Sequence, residues 1–151
     1  MRKLIFGLLL LALAGGGLFY VTGGARQHAP IGVMLNSDTR RVSELSQKFF
    51  EDIQFKDFKA AAQYSSPEDR ETADIPKLIE RLFQVKPELL DLQRYEVVSA
   101  DLDSSRKRAR VKLMSEVKLL NTAEQRKPEV LLYWKKAPSG QWHMDLASSL
   151  Q

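Results

Sequence analysis

Residues 98–113, VSADLDSSRKRARVKL, alternate between apolar and polar side chains on both sides of two central serines. Alternation with a period of two is typical of a β-strand with one buried face. Folding the chain about the serines places Val98 opposite Val111 on an apolar face, and Asp101 opposite Arg108 on a polar face. In this one register the apolar side chains share one face and opposite charges pair on the other. The stretch therefore predicts an antiparallel hairpin.

A second hairpin is predicted near the C-terminus, where Pro138-Ser139-Gly140 supplies a three-residue loop. Glycine suits the left-handed position that such a loop requires. This register sets Trp134 opposite Met144 on the apolar face and Lys135 opposite His143 on the polar face. Together the two hairpins predict four strands, at about 94–103, 106–120, 129–137 and 141–149.

Upstream of these strands the apolar residues are spaced by three and four positions, which is the period of a helix. The first predicted helix begins at Ser37 or Asp38, either of which is a suitable N-cap. A short second helix follows Asp57, and a third ends near Val85 because Pro87 cannot continue it. Helices followed by hairpins predict an α+β fold, with N-terminal helices packed on a curved antiparallel four-stranded sheet.

The N-terminus predicts a membrane or export segment, since residues 4–22 carry no charge and follow Arg2 and Lys3. A helix of that length would span about 28 Å, close to the ~30 Å hydrocarbon core. The positive-inside rule places the N-terminus in the cytoplasm and the rest on the periplasmic or extracellular side of the inner membrane, as a single-pass protein. The alternative is a signal peptide cleaved after Ala12-Leu13-Ala14, which would release the chain into the periplasm. We therefore expect a transmembrane anchor or signal peptide over 1–22, a tether over 23–37 and an exported domain over 38–151.

The order of these elements resembles the nuclear transport factor 2-like superfamily. The local likeness lies between the first two predicted helices: Asp57-Phe58, then the alanine run 60–62, then Ser65-Ser66-Pro67. The resemblance covers about residues 40–151 and implies a cone of helices wrapped by a bent sheet, a shape shared with cystatin-like folds. The superfamily includes isomerases, dehydratases, ligand binders and non-catalytic assembly modules, so the resemblance does not by itself choose a function.

The composition argues against a nucleic-acid-binding domain. Three of the 23 basic residues, Arg2, Lys3 and Arg26, precede the first acidic residue, Asp38, which leaves 20 basic against 19 acidic residues in the body. The basic stretch 104–120 also has no aromatic residues among its cations to stack on bases. The absence of cysteine excludes disulfides and zinc–thiolate sites.

A row of basic side chains is predicted on the outer face of the second strand. Such a row is either a solvated strand face or a docking face for an acidic protein surface or anionic lipid headgroups. The protein partner would be another envelope or membrane protein, and like charges would keep the row from pairing with its own copy. The members of the row are Arg106, Arg108, Arg110, Lys112 and Lys118.

The alternate strand residues that are predicted to face inward are almost all apolar, and the polar ones among them are Glu96 and Ser115. Such a lining is typical of a packed core, and it also allows a cavity for a small apolar ligand or lipid. His143 and Asp145 share the polar face, where surface residues are the expectation rather than an acid–base pair. The expected lining is Val98, Val111, Leu113, Leu132, Trp134 and Met144.

These observations favour a membrane-anchored periplasmic interaction or assembly module of an envelope protein complex, with no catalytic, cofactor-binding or metal-ligating residues. One alternative is a binder of a small apolar ligand or lipid in the cone. The other is an isomerase-like or dehydratase-like enzyme, which requires an acid inside the cone. With two histidines and no cysteine, the chain has few of the side chains that usually bind transition metals.

Overall fold

A computed structural model describes residues 36–150 of the chain, and in this range three helices precede an antiparallel sheet and a short fourth helix follows it. The predicted α+β class is therefore confirmed. None of the helices in residues 36–150 is long and apolar enough to cross a membrane. The expected anchor over 1–22, and all but the last two residues of the expected tether, lie outside the described residues. The elements are α1 (Ser37–Gln54), α2 (Phe58–Ala62), α3 (Ile75–Phe83), β1 (Leu90–Leu102), β2 (Arg108–Leu119), β3 (Gln125–Arg126), β4 (Glu129–Lys136), β5 (Trp142–Met144) and α4 (Leu146–Ser149).

Polar side chains cap the helices where the sequence changes from loop to apolar periodicity. The side chain of Asn36 accepts a hydrogen bond from the backbone of Asp38, so the N-cap of α1 is Asn36 and neither of the two predicted candidates, Ser37 and Asp38. Asp57, which was predicted to lie near the start of the second helix, caps α2, and Asp74 caps α3, each by accepting a 2.9 Å hydrogen bond from a backbone N–H. The third helix ends at Phe83, two residues before the predicted end.

The strands form one antiparallel sheet in the order β1-β2-β4-β5, with β3 paired to β2. The helix α1 packs against β1 and β2 and covers the face that we call the inner face; the opposite face is the outer face. Trp134 pairs with Met144 and Lys135 pairs with His143, which confirms the register predicted for the second hairpin.

The first hairpin forms, but its register differs from the predicted one by two residues. Asp101 pairs with Arg110 instead of Arg108, and Leu102 pairs with Ala109. A longer loop occupies the tip, where Arg106 has a φ of 55° and belongs to the turn rather than to the strand. A shift of two keeps residues 99–102 and their partners on their predicted faces, so the apolar and charged faces are preserved between the tip and Ser99.

Val98 lies outside the core, contrary to its predicted place in the lining. The ladder between β1 and β2 is interrupted between Val97 and Ser99, and Val98 has no partner in the register. Such a β-bulge reverses the alternation for the residues on one side of it. As a result Val98 is 38% exposed, and Glu96, expected to face inward, is also exposed, while Tyr95 and Val97 turn toward the core.

The fourth predicted strand, 141–149, is only three residues long in the structure. It ends at Met144 because Asp145 caps the short helix α4, accepting hydrogen bonds from the backbone N–H and the hydroxyl of Ser148. The helix lies beside β4, where the backbone N–H of Tyr133 donates to the hydroxyl of Ser149. The predicted pairing of Leu132 with Leu146 is therefore wrong, since Leu146 begins a helix.

Candidate functional site

The outer face of the sheet carries four of the five members of the predicted basic row, and two of these four are paired with acidic neighbours. Arg110 lies 3.5 Å from Asp101 on β1, and Lys112 lies 3.0 Å from Glu129 on β4. Lys112 therefore has an acidic partner on the neighbouring strand β4. These four side chains are 37–60% exposed, and ion pairs in such settings contribute about 0–1 kcal/mol and exchange partners readily.

At the far end of β2 the charges are also balanced. Glu116 pairs with Lys127 at 2.8 Å, and the hydrogen bond from Lys127 holds the pKa of Glu116 below its usual range. Lys118 is opposite Asp91 in the register, without an ion pair to any described residue. The row is thus a mixed-charge surface rather than a continuous positive one.

Apolar side chains occupy the centre of this outer face. Leu131 is the register partner of Lys112, Tyr133 is the partner of Arg110, and all four side chains point away from the core. Met114 continues the apolar strip on β2, and the bulged Val98 adds an exposed apolar side chain on β1. The centre of the face is therefore apolar, and its margins are charged. We call the set Val98, Met114, Leu131 and Tyr133 the outer apolar strip.

An open groove of about 1610 Å³ runs along this face toward α3 and α4. Arg108, Arg110 and Tyr133 line it from the sheet, and Asp145 lines it from the start of α4. Burial opposes ionisation of Asp145, but the hydrogen bonds from Lys135 and Ser148 outweigh burial and lower its pKa. On the opposite side the groove is lined by α3, through Lys77, Glu80 and Arg81.

The expected cone lining, apart from Val98, lies together in the core under α1. The other five side chains are at most 2% exposed. The largest of them, Trp134, donates its indole N–H to the hydroxyl of Ser46 over 3.0 Å, and Tyr64 meets its ring edge-on at 6.3 Å. The five residues, in contact with the aromatic side chains of the core, are Val111, Leu113, Leu132, Trp134 and Met144.

His143 and Asp145 are close in sequence, but the structure gives their side chains different environments. Asp145 bonds Lys135 at 2.8 Å and caps α4, which occupies both of its oxygens. His143 lines a separate cleft of about 760 Å³ on the other side of the β4–β5 hairpin. The described residues contain no group of three or more histidine, aspartate or glutamate side chains arranged to hold a metal ion.

The same cleft contains an acid that the sequence reasoning missed. Asp52 of α1 lines it beside Tyr64, and burial raises the pKa of Asp52 although a hydrogen bond from Tyr64 opposes that rise. Burial and the nearby Asp52 charge raise the pKa of Tyr64 to about 12. The signal available in the sequence was the position of Asp52, three residues after Phe49 at the border of the apolar face of α1.

The sequence was compared with families and with individual proteins. No protein-family model matches the sequence, and no curated protein matches it at a significant level. The fold and the surfaces of residues 36–150 are therefore the basis for a functional proposal.

Proposed function

We propose that this chain is a single-pass, membrane-anchored member of the nuclear transport factor 2-like superfamily that acts as a non-catalytic interaction module. Residues 4–22 form the anchor, the N-terminus lies in the cytoplasm, and the α+β domain lies on the periplasmic side of the inner membrane. The partner is another envelope protein, which docks on the outer face of the sheet.

The observation that carries this proposal is the outer apolar strip with its charged margin. Protein interfaces have apolar centres enriched in tyrosine, methionine and arginine, surrounded by a polar rim. Tyr133, Leu131 and Met114 provide such a centre, and the pairs formed by Arg110 and Lys112 provide such a rim. The helix α1 packs on the inner face of β1 and β2, while α3 and α4 line one side of the groove, so the centre of the outer face is open to a partner.

The chemistry of the face defines the partner. Burial of the apolar strip supplies the affinity, so the partner presents apolar side chains at the centre of its own surface. Arg108 and Lys118 make no ion pair with a described residue, and they favour acidic groups at the two ends of the partner surface. The paired cations Arg110 and Lys112 contribute orientation rather than net attraction.

The core supports this function over binding of an apolar ligand in the cone. Leu113, Leu132 and Trp134 are in contact with other core side chains, whereas a ligand site needs a concave surface that is open to the ligand. Among the described residues, Asp52 is a candidate for catalysis by an acid, but its carboxylate already accepts a hydrogen bond from Tyr64. A substrate would have to displace that phenol first.

Site-specific photo-crosslinking in membranes tests the proposal. A photoreactive residue at Leu131, in the centre of the strip, should give one discrete crosslinked species in cells that express the full chain. Leu120 is the matched control, because it is 57% exposed and lies beyond the end of β2, away from the strip. Tyr133→Ser should abolish the crosslink from position 131 while leaving the circular-dichroism spectrum unchanged. Identical crosslinking from positions 131 and 120, or none from 131, would contradict the proposal.

A further inference from the structure

Three exposed cations lie at the tip of the β1–β2 hairpin, and we call Arg106, Lys107 and Arg108 the basic tip. None of the three makes an ion pair with a residue in 36–150. This distinguishes the basic tip from Arg110 and Lys112 further along β2, which have acidic partners.

The acidic residue at the start of this loop, Asp103, makes its hydrogen bonds within the turn and not with the three cationic side chains. Its Oδ1 accepts hydrogen bonds from the backbone N–H groups of Lys107 and Arg108, each over 3.2 Å. The hydroxyl of Ser105 donates to both of its oxygens at 2.9 and 2.8 Å. The carboxylate therefore fixes the loop conformation, including the left-handed backbone of Arg106, and leaves the three cationic side chains to solvent.

The basic tip lies at the end of the domain where the chain leads back to residues 1–35. The backbone N–H of Lys136 donates to the carbonyl of Lys107 over 2.8 Å, and the Lys136 ammonium bonds Asp38 at 2.9 Å. Arg106 is also close enough to Asp38 to lower its pKa. Asp38 is in the first turn of α1, so the tip and the start of the domain are adjacent.

The opposite end of the domain is far from this junction. The helix α1 has 18 residues, which is about 27 Å of length. The strand β2 runs 12 residues away from the tip, or about 40 Å. Thirteen residues, 23–35, separate the uncharged segment 4–22 from Asn36. Even a fully extended linker of this length allows at most about 45 Å between the end of that segment and Asn36. If 4–22 crosses a bilayer, the linker joins the domain at the end that carries the basic tip, so this end is on average nearer the bilayer than the far end of β2.

We propose that the basic tip docks on anionic phospholipid headgroups of the membrane in which this chain is anchored. The inference rests on the membrane anchor of the proposed function, but not on the protein partner. Each lysine or arginine next to an anionic membrane strengthens the attraction by roughly fivefold, and the attraction falls off within about 8–10 Å at physiological salt. The docked tip would orient the domain, with the outer face of the sheet directed sideways along the membrane.

Single-site fluorescence on the full chain in lipid nanodiscs tests this. The chain has no cysteine, so Ser104→Cys introduces one labelling site at the tip, and Asn121→Cys introduces a control site at the far end of β2. Each protein is placed in nanodiscs of phosphatidylcholine alone or with 30% phosphatidylglycerol, both containing a headgroup-linked quencher. The label at position 104 should be quenched several-fold more in anionic than in neutral discs, and the label at position 121 should not respond.

Two variants that each remove three positive charges distinguish an effect of the basic tip from an effect of the protein's overall positive charge. Arg106→Gln/Lys107→Gln/Arg108→Gln removes the tip and should abolish the anionic enhancement of quenching. Lys59→Gln/Lys77→Gln/Lys86→Gln removes three exposed cations elsewhere and should keep it. Raising the salt to 1 M should remove the enhancement, because the Debye length falls to about 3 Å.

The outcomes distinguish the docked tip from the anchor. If the protein stays in neutral discs at high salt, and its intact mass corresponds to a chain that begins at Met1, the anchor is supported independently of the tip. Equal quenching of position 104 in neutral and anionic discs, or an enhancement that survives in the tip variant, would overturn the inference. Protection of position 104 in native membranes but not in anionic discs would also overturn it, since an acidic protein would then be the ligand.

Discussion

Truncation of Trp134 is the most direct test of the core under α1. The side chain is 1% exposed, pairs across strands with Ala109 and Met144, and meets the ring of Tyr64 edge-on. Replacing a buried tryptophan with alanine removes its transfer energy and leaves a cavity, at a cost of about 3–5 kcal/mol. The aromatic contact adds ~0.5–1.5 kcal/mol, so we expect Trp134→Ala to lower the free energy of unfolding by about 5 kcal/mol.

The hydrogen bond to Ser46 provides an internal check on this magnitude. Trp134→Phe keeps most of the ring but leaves the Ser46 hydroxyl, 0% exposed, without its indole donor. That substitution should cost about 1–3 kcal/mol from the unpaired polar group and the smaller ring. Adding Ser46→Ala removes the orphaned hydroxyl, so the double variant should be more stable than the sum of the two single losses predicts.

Urea denaturation of the full chain in mild detergent, followed by far-ultraviolet circular dichroism, measures these differences. Phe55→Ala is the control, because Phe55 is an aromatic residue that is 74% exposed and should cost less than about 0.5 kcal/mol. A loss below about 1 kcal/mol for Trp134→Ala would refute the assignment of β4 parity, since it would mean that the indole is not in the core.

Two further predictions concern the β4–β5 hairpin and its contact with α1. Hydrogen bonds from Lys136 and Trp142 hold the pKa of Asp38 below its usual value, so its ionised form stabilises the fold above pH ~4 and this stabilisation is lost as the pH falls through the lowered pKa. Asp38→Asn should therefore cost about 1 kcal/mol at pH 7 and less at pH 3, and a difference in melting temperature that does not change with pH would contradict this. Gly140 has a φ of 87° and nothing within 4 Å of the position of an added Cβ, so Gly140→Ala should cost about 1 kcal/mol in thermal melts through backbone strain alone; a stabilised variant would contradict the left-handed turn.

The sequence predicts the elements of this fold better than their registers. Caps such as Asp57, and the glycine loop before Trp142, are local signals, and both appear where expected. The first hairpin was placed two residues out of register, because a shift of two preserves the alternation of every face and the apolar pattern cannot detect it. The deciding interaction is the carboxylate of Asp103 on the backbone of its own loop.

The bulge at Val98 and the cleft at Asp52 were beyond prediction for different reasons. A bulge adds one residue without changing composition, and the consecutive valines 97 and 98 allow either one to face inward. Asp52 belongs to α1 and Tyr64 to the turn that follows α2, and their hydrogen bond depends on the angle between α1 and α2, which no local pattern encodes.

The bulge also changes how the outer face would bind. With Val98 turned outward, apolar side chains extend across β1, β2 and β4, and the cations of β2 become the margin of an apolar centre. Their acidic partners, Asp101 and Glu129, come from the flanking strands, so the face has little net charge. The cations without such partners are concentrated at the hairpin tip, where Asp103 is committed to the turn. Apolar recognition is therefore concentrated at the centre of the sheet and electrostatic attraction at the hairpin tip, and Arg108, the first residue of β2, lies where the two surfaces meet.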